Sequence, residues 1–366
     1  KKTSARAGIP WSQETADRLH WTMKYLGSLL AQSNKYKGVH QSTILGELER
    51  AAVNRNLFIT SFSKCSFISS PDKEVGLQNS QSSNISSIVR SITDHKQVTK
   101  ELLSHNRLPV PRGSVFVELQ EAKKYLASCT SPQVVKPVVG SYGRGITVDV
   151  RTEEALETAW NYAQTYYEQV ILEELVPGVD IRVLVIGGKA CAALLRVPAN
   201  VVGDGKTKIS QLIEKKNEER LSNPRLCKTP IIPDAYTEEF LKRQNHSLNS
   251  IPEKGEVVFL HLKANIGAGG DSICIKDLIH PDLMRLAEET ASVFGAHEFL
   301  GVDLLVGRID LPRNQQQCSI IEVNTRAELR GVQFPMYGKP VDATQAHIDH
   351  LFPEDTSDEA YPIKSI

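Results

Sequence analysis

Apolar and polar positions follow two periods along the chain, and these periods predict its helices and strands. Apolar residues recur every three or four positions in five segments, as amphipathic helices require: 42–53, 94–106, 153–168, 209–219 and 280–295. Short β-branched or aromatic runs predict strands at 57–62, 64–70, 133–139, 146–150, 169–174, 181–186, 189–197, 301–306 and 318–324. Helices and strands therefore mix throughout, which predicts an α/β (α+β) protein.

Turn and capping signals separate these segments. Ser42 is a plausible cap of the first helix, and Asp94 with Gln97 three residues later is typical of a helix start. The Ser/Asn-rich run 76–87 predicts a loop. Residues 203–255 are polar and charged, with one modest helix, and are interpreted as an inserted excursion.

Charge and composition exclude some partners. The 366 residues carry 43 Lys and Arg against 43 Asp and Glu, so no basic surplus favours nucleic acid or an anionic membrane. No apolar run reaches the roughly 18–20 residues of a membrane helix, and residues 1–11 lack the apolar core of a signal peptide. The six cysteines show no CxxC pair, so we expect reduced core thiols in a cytoplasmic protein.

Two strands near the C-terminus carry hard oxygen ligands. Asp303 lies in one, and Glu322 and Asn324 lie two positions apart in the other, on one face. Such oxygens suit a hard cation, and Mg²⁺ is favoured because it combines carboxylates with substrate phosphates. The alternative is a solvated strand end with incidental charge.

A strand lysine precedes a glycine-rich hairpin. Lys136 lies inside an apolar strand, where an amine is costly unless an anion meets it. Gly140, Gly143 and Gly145 allow the backbone to approach a ligand closely and to present its N–H groups. No helix-opening Gly-Lys-Ser/Thr follows, so this is not a Walker A motif. A tight turn is the alternative to a phosphate loop.

Further charged residues lie beside turns and apolar strands. Glu173, Glu174 and Asp180 cluster at a Pro-Gly turn, where they could accept hydrogen bonds from a nucleoside or be ordinary surface charges. Arg196 lies in an apolar run, which predicts an anionic partner. Lys263 precedes a second glycine loop at 267–270.

The order and spacing of these motifs resemble the ATP-grasp superfamily over about residues 50–350. The nearest resemblances are to the ATP-grasp part of cyanophycin synthetases and to the ligase half of bifunctional glutathione synthetases. They rest on DHKQVTKELL…LPVPRG, VVKPVVGSYGRG, LEELVPGVDIRVLVIGGK, RVPANVVGDGK, SIPEKGEVVFL, ANIGAGGDS, the HPD helix, GVDL and IIEVN. The resemblance implies an N-terminal α/β domain, a central lid, a C-terminal mixed-sheet domain and a tail, with boundaries at 1–92, 93–180, 181–350 and 351–366.

The resemblance also implies how ATP would be held. Lys96 and Lys136 correspond to the lysines that hold ATP phosphates, and the loop from Gly140 to Gly145 to the flexible cover above them. Glu173 corresponds to the adenine partner and Asp180 to the ribose partner. Glu174 and Leu175 would line the hinge between them.

Metal and catalytic residues follow from the same resemblance. Asp303, Glu322 and Asn324 correspond to the ligands of Mg²⁺ (or Mn²⁺). Arg196 and the loop from Gly267 to Gly270 would face the transferred phosphate and the acyl phosphate. Cyanophycin synthetases usually carry a basic residue where this chain has His261, and Lys263 could supply that charge.

The substrate side departs from the family. Relatives continue after the metal strand with small residues and a proline, whereas this chain has TRAELR at 325–330, so acceptor contacts cannot be carried over. We expect Arg326 or Arg330 to clamp a substrate carboxylate. The alternative pairs Arg326 with Glu328 or Glu322 and leaves Arg330 as a surface charge.

The implied activity is an ATP-dependent carboxylate–amine ligase that acts through an acyl phosphate, on amino-acid or peptide substrates, in a homo-oligomer. One alternative is a ligase that adds amino acids to a peptide or protein. Another is a nucleotide-binding regulatory module without turnover. The fold and the nucleotide site do not distinguish the substrates, because many ligases share both.

Overall fold

A computed structural model describes residues 13–36, 41, 43–140, 143–295 and 298–353. Four predictions fall wholly or partly outside these ranges: the N-terminal segment, the Ser42 cap, the middle of the first glycine loop (Ser141 and Tyr142) and the tail beyond residue 353.

Five helices lie in the predicted amphipathic segments, and the other six α-helices of the described residues were not predicted. Thr43 caps the second helix by accepting a hydrogen bond from the Gly46 amide at 3.0 Å. The helices of the described residues are α1 Gln13–Tyr25, α2 Ile44–Asn54, α3 Ser87–Asp94, α4 Lys96–His105, α5 Leu119–Ser128, α6 Glu153–Gln164, α7 Ile209–Leu221, α8 Ala235–Arg243, α9 Pro281–Val293, α10 Arg330–Gln333 and α11 Ala343–Leu351.

The strands form antiparallel sheets, which confirms the mixed α and β class. They are β1 Phe58–Ser61, β2 Ser66–Ser69, β3 Glu74–Gln78, β4 Gln81–Ser82, β5 Gly113–Phe116, β6 Gln133–Pro137, β7 Thr147–Val150, β8 Val170–Glu174, β9 Val179–Ile186, β10 Lys189–Val197, β11 Asn200–Val202, β12 Val257–Phe259, β13 Asp271–Cys274, β14 Phe299–Val306 and β15 Cys318–Asn324.

The largest sheet has five strands in the order β13-β10-β9-β14-β15. One face of this sheet is apolar throughout, whereas the other face is apolar over only part of its length. Ile181 and Val183 pack with helices α1 and α9 in one core, whereas Leu184 and Ile186 pack in a second core with α2 and α11. Side chains of a strand alternate between its faces, so one strand supplies both cores. This five-stranded sheet is called the main sheet below.

A sheet in the order β5-β8-β6-β7, called the four-stranded sheet below, has its own small core and is separate from the sheet of β1 to β4. Helices α5 and α6 cover it through residues such as Leu126, Leu156 and Trp160. Helix α4 does not belong to this core, since Leu103 is buried in the core of the main sheet. The space between the four-stranded sheet on one side and the main sheet with α4 on the other is called the cleft below.

Two local predictions near the N-terminal half were wrong. The polar run 76–87 is not a continuous loop, because Leu77 is buried and the run contains part of β3 and all of β4. Asp94 does not begin the fourth helix. It ends α3, and the His95 side chain caps α4 by accepting a hydrogen bond from the Val98 amide at 3.3 Å.

The segment 203–255 is more ordered than an excursion. It contains α7 as predicted and also α8, which was missed. Ile209, Ile213 and Leu241 share a core with β12. Two charged residues of α7, Lys216 and Arg220, are buried as well, and both form ion pairs with Asp271.

The six cysteines all lie in the described residues and are free thiols, as predicted. Cys274 and Cys318 are buried, and the other four are half-buried. None of the helices in the described ranges has the length and apolar character needed to cross a membrane.

Candidate active site

One face of the main sheet carries a row of charged residues that crosses four neighbouring strands. Arg196 lies opposite Asp180, Arg182 lies opposite Asp303, and Asp303 lies opposite Glu322. Directly opposed residues of antiparallel strands share a face, so these side chains meet. Asp180, Arg182, Arg196, Asp303 and Glu322 are called the charged row below.

Within the charged row, Asp303 is held by two arginines. Arg182 donates two hydrogen bonds to its carboxylate, at 2.6 and 2.7 Å, and Arg196 donates a third at 3.0 Å. Arg196 also donates to Asp180 at 2.9 Å. The predicted anionic partner of Arg196 thus exists, and it lies within the protein.

Burial and pairing compete in this cluster. Burial raises the pKa of Asp303, but Arg182 and Arg196 outweigh it and hold that pKa below its usual range. Burial raises the pKa of Asp180, and the neighbouring Asp303 adds to the rise despite the pairing with Arg196. Burial lowers the pKa of Arg196, but Asp180 and Asp303 outweigh it and raise that pKa. Arg182 therefore keeps Asp303 ionised.

The other two predicted metal ligands are less engaged. The Glu322 side chain is 30% exposed, and its carboxylate lies 3.8 Å from the Lys96 ammonium. The Asn324 amide nitrogen is buried and has no hydrogen-bond partner. Glu322 therefore has a carboxylate available to Mg²⁺, and no hydrogen bond from its nitrogen holds the Asn324 amide in place, whereas Asp303 would first have to share its carboxylate with two arginines. Within the described ranges, no three His, Cys, Asp or Glu side chains cluster as a metal site.

A small cavity brings several predicted site residues together. Lys96 from α4, Lys136 from β6 and Glu322 from β15 all line it, with Gly140 and Gly143. The Lys96 ammonium donates to the Gly140 carbonyl at 2.6 Å. Burial lowers the pKa of Lys96, and Lys136 adds to that effect, although Glu322 opposes it. The cavity therefore lies between ammonium groups on one side and the charged row on the other.

Lys136 belongs to a buried cluster of three charges. Glu173 accepts a hydrogen bond from Lys136 through one carboxylate oxygen and from Lys100 through the other, at 3.0 Å in the second case. All three side chains are buried. Burial raises the pKa of Glu173, but the two lysines outweigh it and lower that pKa. Glu173, the predicted adenine partner, thus meets two lysines within the protein.

The residues after Glu173 make local contacts. Glu174 accepts hydrogen bonds from the Arg112 amide and guanidinium at 3.0 and 3.1 Å. The Leu175 amide donates to the Pro132 carbonyl at 2.8 Å. Together these contacts fix the chain that connects the four-stranded sheet to the main sheet.

The first glycine loop is held at its described ends. Lys263 donates to the Gly143 carbonyl at 3.1 Å, so this lysine reaches the loop from the other side of the cleft. Gly145 has a φ of +71°, and a Cβ there would approach Tyr166 to 2.8 Å, so only glycine fits. The loop backbone therefore lies close to the two lysines predicted to hold phosphates, Lys96 and Lys136.

The second glycine loop is stabilised by hydrogen bonds of its own. Its amides are already paired, because Gly267 donates to the Asn265 side chain at 2.8 Å and Gly270 to the Asn265 carbonyl at 3.2 Å. Gly269 donates to the Ile266 carbonyl at 3.2 Å. The loop is thus internally satisfied in this conformation.

The two substrate arginines have different surroundings. Arg326 is 42% exposed in its side chain and lies 3.6 Å from Asp94. Arg330 donates two hydrogen bonds to Glu328, both at 2.9 Å, and is only 17% exposed. Arg330 is thus not a surface charge, and Arg326 pairs with neither of the acids expected for it.

Sequence reasoning missed two residues of this site. Arg182 lies in an apolar strand, which is the signal that identified Arg196. Lys100 lies one helical turn after Lys96 and shares its helix. Neither partner could be assigned, because strand register decides which acid each cation meets.

The chain is similar in sequence to a known family model and to two groups of curated proteins. The family model described as the phosphoribosylglycinamide synthetase, ATP-grasp (A) domain matches residues 94–200. Cyanophycin synthetase from Trichormus variabilis is 36% identical over 276 residues, which are 74% of this chain and 30% of that protein. The glutathione biosynthesis bifunctional protein GshAB from Clostridium perfringens is 34% identical over 281 residues, 75% of this chain and 36% of that protein.

A solved structure extends the similarity to most of the fold. The crystal structure of a bifunctional glutathione synthetase from Pasteurella multocida has a TM-score of 0.66 and 28% sequence identity. It covers 85% of this chain, and this chain covers 43% of it. The chain spans about a third of the length of the curated relatives named above.

Proposed function

Because the chain belongs to the ATP-grasp superfamily, we propose that it is an ATP-dependent carboxylate–amine ligase. It would form an amide or peptide bond through an acyl phosphate and release ADP and phosphate. The observation that carries the proposal is the cavity in which Lys96, Lys136 and Glu322 meet from three separate elements. Ammonium groups and a carboxylate around one small space suit a phosphate with its metal ion.

The lysines would bind and orient the phosphates. Lys96 and Lys136 already face the cavity, and the Gly140 carbonyl that accepts from Lys96 could be exchanged for a phosphate oxygen. Lys263 would add positive charge from the opposite side through its position at Gly143. Backbone amides of Gly143 and Gly145 would donate to the same anion.

Two acids of the charged row, together with Asn324, would bind the metal. Glu322 and Asn324 would hold Mg²⁺, and Asp303 would join them if one of its arginine contacts opened. ATP would supply the phosphoryl group that activates the substrate carboxylate, and Mg²⁺ would offset charge during that transfer. Arg196, paired with two acids, would then be a positioning group until one of them turns to the metal.

The nucleoside would lie at the connection between the two sheets. Glu174 and Leu175 would line it there, with Asp180 at the ribose. Glu173 would accept from the adenine amino group through a further lone pair, because each of its oxygens already accepts from one lysine.

A second candidate is a ligase that acts on a peptide acceptor. An open groove of about 510 Å³ lies beside the cleft, lined by Arg90, Asp94, His95 and Val139 among others. Asp94 also lies near Arg326. The groove could hold an extended peptide next to Arg326, which would bind a carboxylate of that peptide.

Product release tests both candidates. The protein is incubated with ATP and Mg²⁺ and with single amino acids or short peptides as carboxylates, and hydroxylamine replaces the unknown amine. A ligase of this class should yield a hydroxamate together with ADP and phosphate. Stoichiometric hydroxamate with peptides but not with amino acids would favour the second candidate. Nucleotide binding without hydroxamate from any carboxylate would instead favour a regulatory module.

A further inference from the structure

The buried cluster behind the cavity contains one more lysine than its acid requires. Lys136 alone would neutralise Glu173, yet Lys100 also contacts that carboxylate, at 3.0 Å. Taking a second ammonium out of water costs free energy. The cluster therefore keeps one net positive charge, and its position beside the cavity needs an explanation.

The three residues come from different parts of the fold. Lys100 is on α4, which packs against the main sheet, whereas Glu173 and Lys136 are on neighbouring strands β8 and β6 of the other sheet. Only Lys136 of these three lines the cavity. Glu173 thus bridges an ammonium at the cavity to an ammonium behind it.

We propose that Lys100 is a positioning residue that keeps the Lys136 ammonium available to an anion in the cavity. By binding one oxygen of Glu173, Lys100 fixes the carboxylate and takes a share of its charge. Without Lys100, the carboxylate neutralises Lys136 alone, and the attraction of Lys136 for a phosphate falls. The inference rests on the proposed nucleotide function and adds to it a residue that does not touch the nucleotide.

A purely structural role of Lys100 makes a different prediction. Lys100 would then only attach α4 to the four-stranded sheet, and removing Glu173 as well would add damage or change nothing. Under the proposal, removing both residues leaves Lys136 alone, with the same net charge of plus one as the intact cluster and with no carboxylate to neutralise it. The double substitution therefore separates the two roles.

The experiment measures the dissociation constants of ATP and of adenosine by calorimetry at fixed salt. The variants are Lys100→Met, Glu173→Gln and the combination of both, with circular dichroism as the check of folding. We expect Lys100→Met to weaken ATP binding by at least about tenfold while adenosine binding stays within about twofold. In the double variant, the ratio of ATP affinity to adenosine affinity should return to within about threefold of the wild-type ratio, because a loss at the adenine affects both ligands alike.

The Glu173→Gln variant keeps the test valid if Lys100→Met does not fold. Its ratio of ATP affinity to adenosine affinity should be at least as high as that of wild type, because both lysines then lack a neutralising carboxylate. A loss of about tenfold in that ratio would overturn the proposal, as would a folded double variant whose ratio of ATP affinity to adenosine affinity is no higher than that of Lys100→Met. If wild type itself bound no ATP, the proposed function would fail instead.

Discussion

Glu322 is the carboxylate of the cleft that is least committed to other residues of the protein. We expect Glu322→Gln to leave the fold intact and to abolish hydroxamate and phosphate release, because the amide keeps the shape but removes the charge that would hold Mg²⁺. Circular dichroism and the hydroxylamine assay measure both outcomes. The control is Glu121→Gln on the exposed side of α5, which should retain wild-type activity.

Near-normal turnover of Glu322→Gln at saturating Mg²⁺ would remove Glu322 from the metal assignment. Asp303 would then become the main candidate, despite its contacts with Arg182 and Arg196.

Arg326 and Arg330 should separate into a substrate group and a structural group. Arg326 is half-exposed and only loosely paired, and it would bind the substrate carboxylate that does not react. Arg326→Ala should therefore lower kcat/KM by about tenfold or more for a substrate with this carboxylate free, but not for the analogue in which it is a carboxamide. Arg330 is tied to Glu328, so Arg330→Ala should instead lower the free energy of unfolding by about 1–3 kcal/mol.

The comparison of carboxylate and carboxamide substrates tests Arg326, and urea unfolding tests Arg330. If Arg326→Ala keeps the full preference for the carboxylate, the substrate lies elsewhere. If Arg330→Ala loses that preference at unchanged stability, the assignments of the two arginines are reversed.

For single residues, the sequence was a better guide to which side chains belong to the site than to which side chains they contact. Lys136 and Arg196 stood out because a charge inside an apolar strand needs a partner. The partners were not predictable, since Asp303 reaches Arg182 only through the register of β14 against β9. The contact of Lys100 with Glu173 depends on how a helix of one core meets a sheet of another.

Helix α11 contains a buried histidine that should make the protein sensitive to acid. His347 stacks on Phe299 at a ring distance of 5.2 Å, and neither of its ring nitrogens has a hydrogen-bond partner. Burial lowers the pKa of His347 to about 3, and His350 adds to that effect. Below an unfolded pKa of about 6.5, the unfolded chain binds a proton that the folded chain does not, so stability falls as the pH falls towards 3.

Between pH 6.5 and pH 5, this linkage should remove about 2 kcal/mol from the free energy of unfolding. His347→Leu should lack that part of the decline, whereas His105→Leu, at an exposed position of α4, should keep it. Urea unfolding at both pH values measures the difference. Equal declines in wild type and His347→Leu would show that another group dominates.

Long amphipathic helices and apolar strands were predictable because their periods are strong, as in α6, α9, β9 and β14. The hairpin of β3 and β4 was not, since its Ser and Asn residues suggested a loop while the buried Leu77 and Val75 fix it to α2. Helix α8 was missed because its polar composition hides the burial of Phe240 and Leu241.

At the scale of the whole molecule, the pattern of apolar positions could not arrange the two sheets around a cleft. That arrangement followed from the resemblance of many motifs in order, and the similarity to a solved glutathione synthetase supports it. The boundaries at 92, 180 and 350 remain predictions. The homo-oligomer also remains a prediction.

A ligand that binds across the cleft should stabilise the whole molecule. Lys136 lies on the four-stranded sheet and Glu322 on the main sheet, so ATP with Mg²⁺ would engage both. At a hundred times its dissociation constant, such a ligand adds about 2.7 kcal/mol to the free energy of unfolding. In a thermal melt, that should raise Tm by several degrees.

Lys136→Met should reduce this rise at the same ATP concentration, because a charged hydrogen bond to phosphate contributes about 1.5–3 kcal/mol. Lys124→Met, which changes an exposed lysine of α5, is the matched control and should melt like wild type with and without ATP. Adenosine, which lacks phosphates, should raise the Tm of wild type and of Lys136→Met equally. If adenosine matched ATP in wild type, the ammonium groups around the cavity would not be reading phosphate.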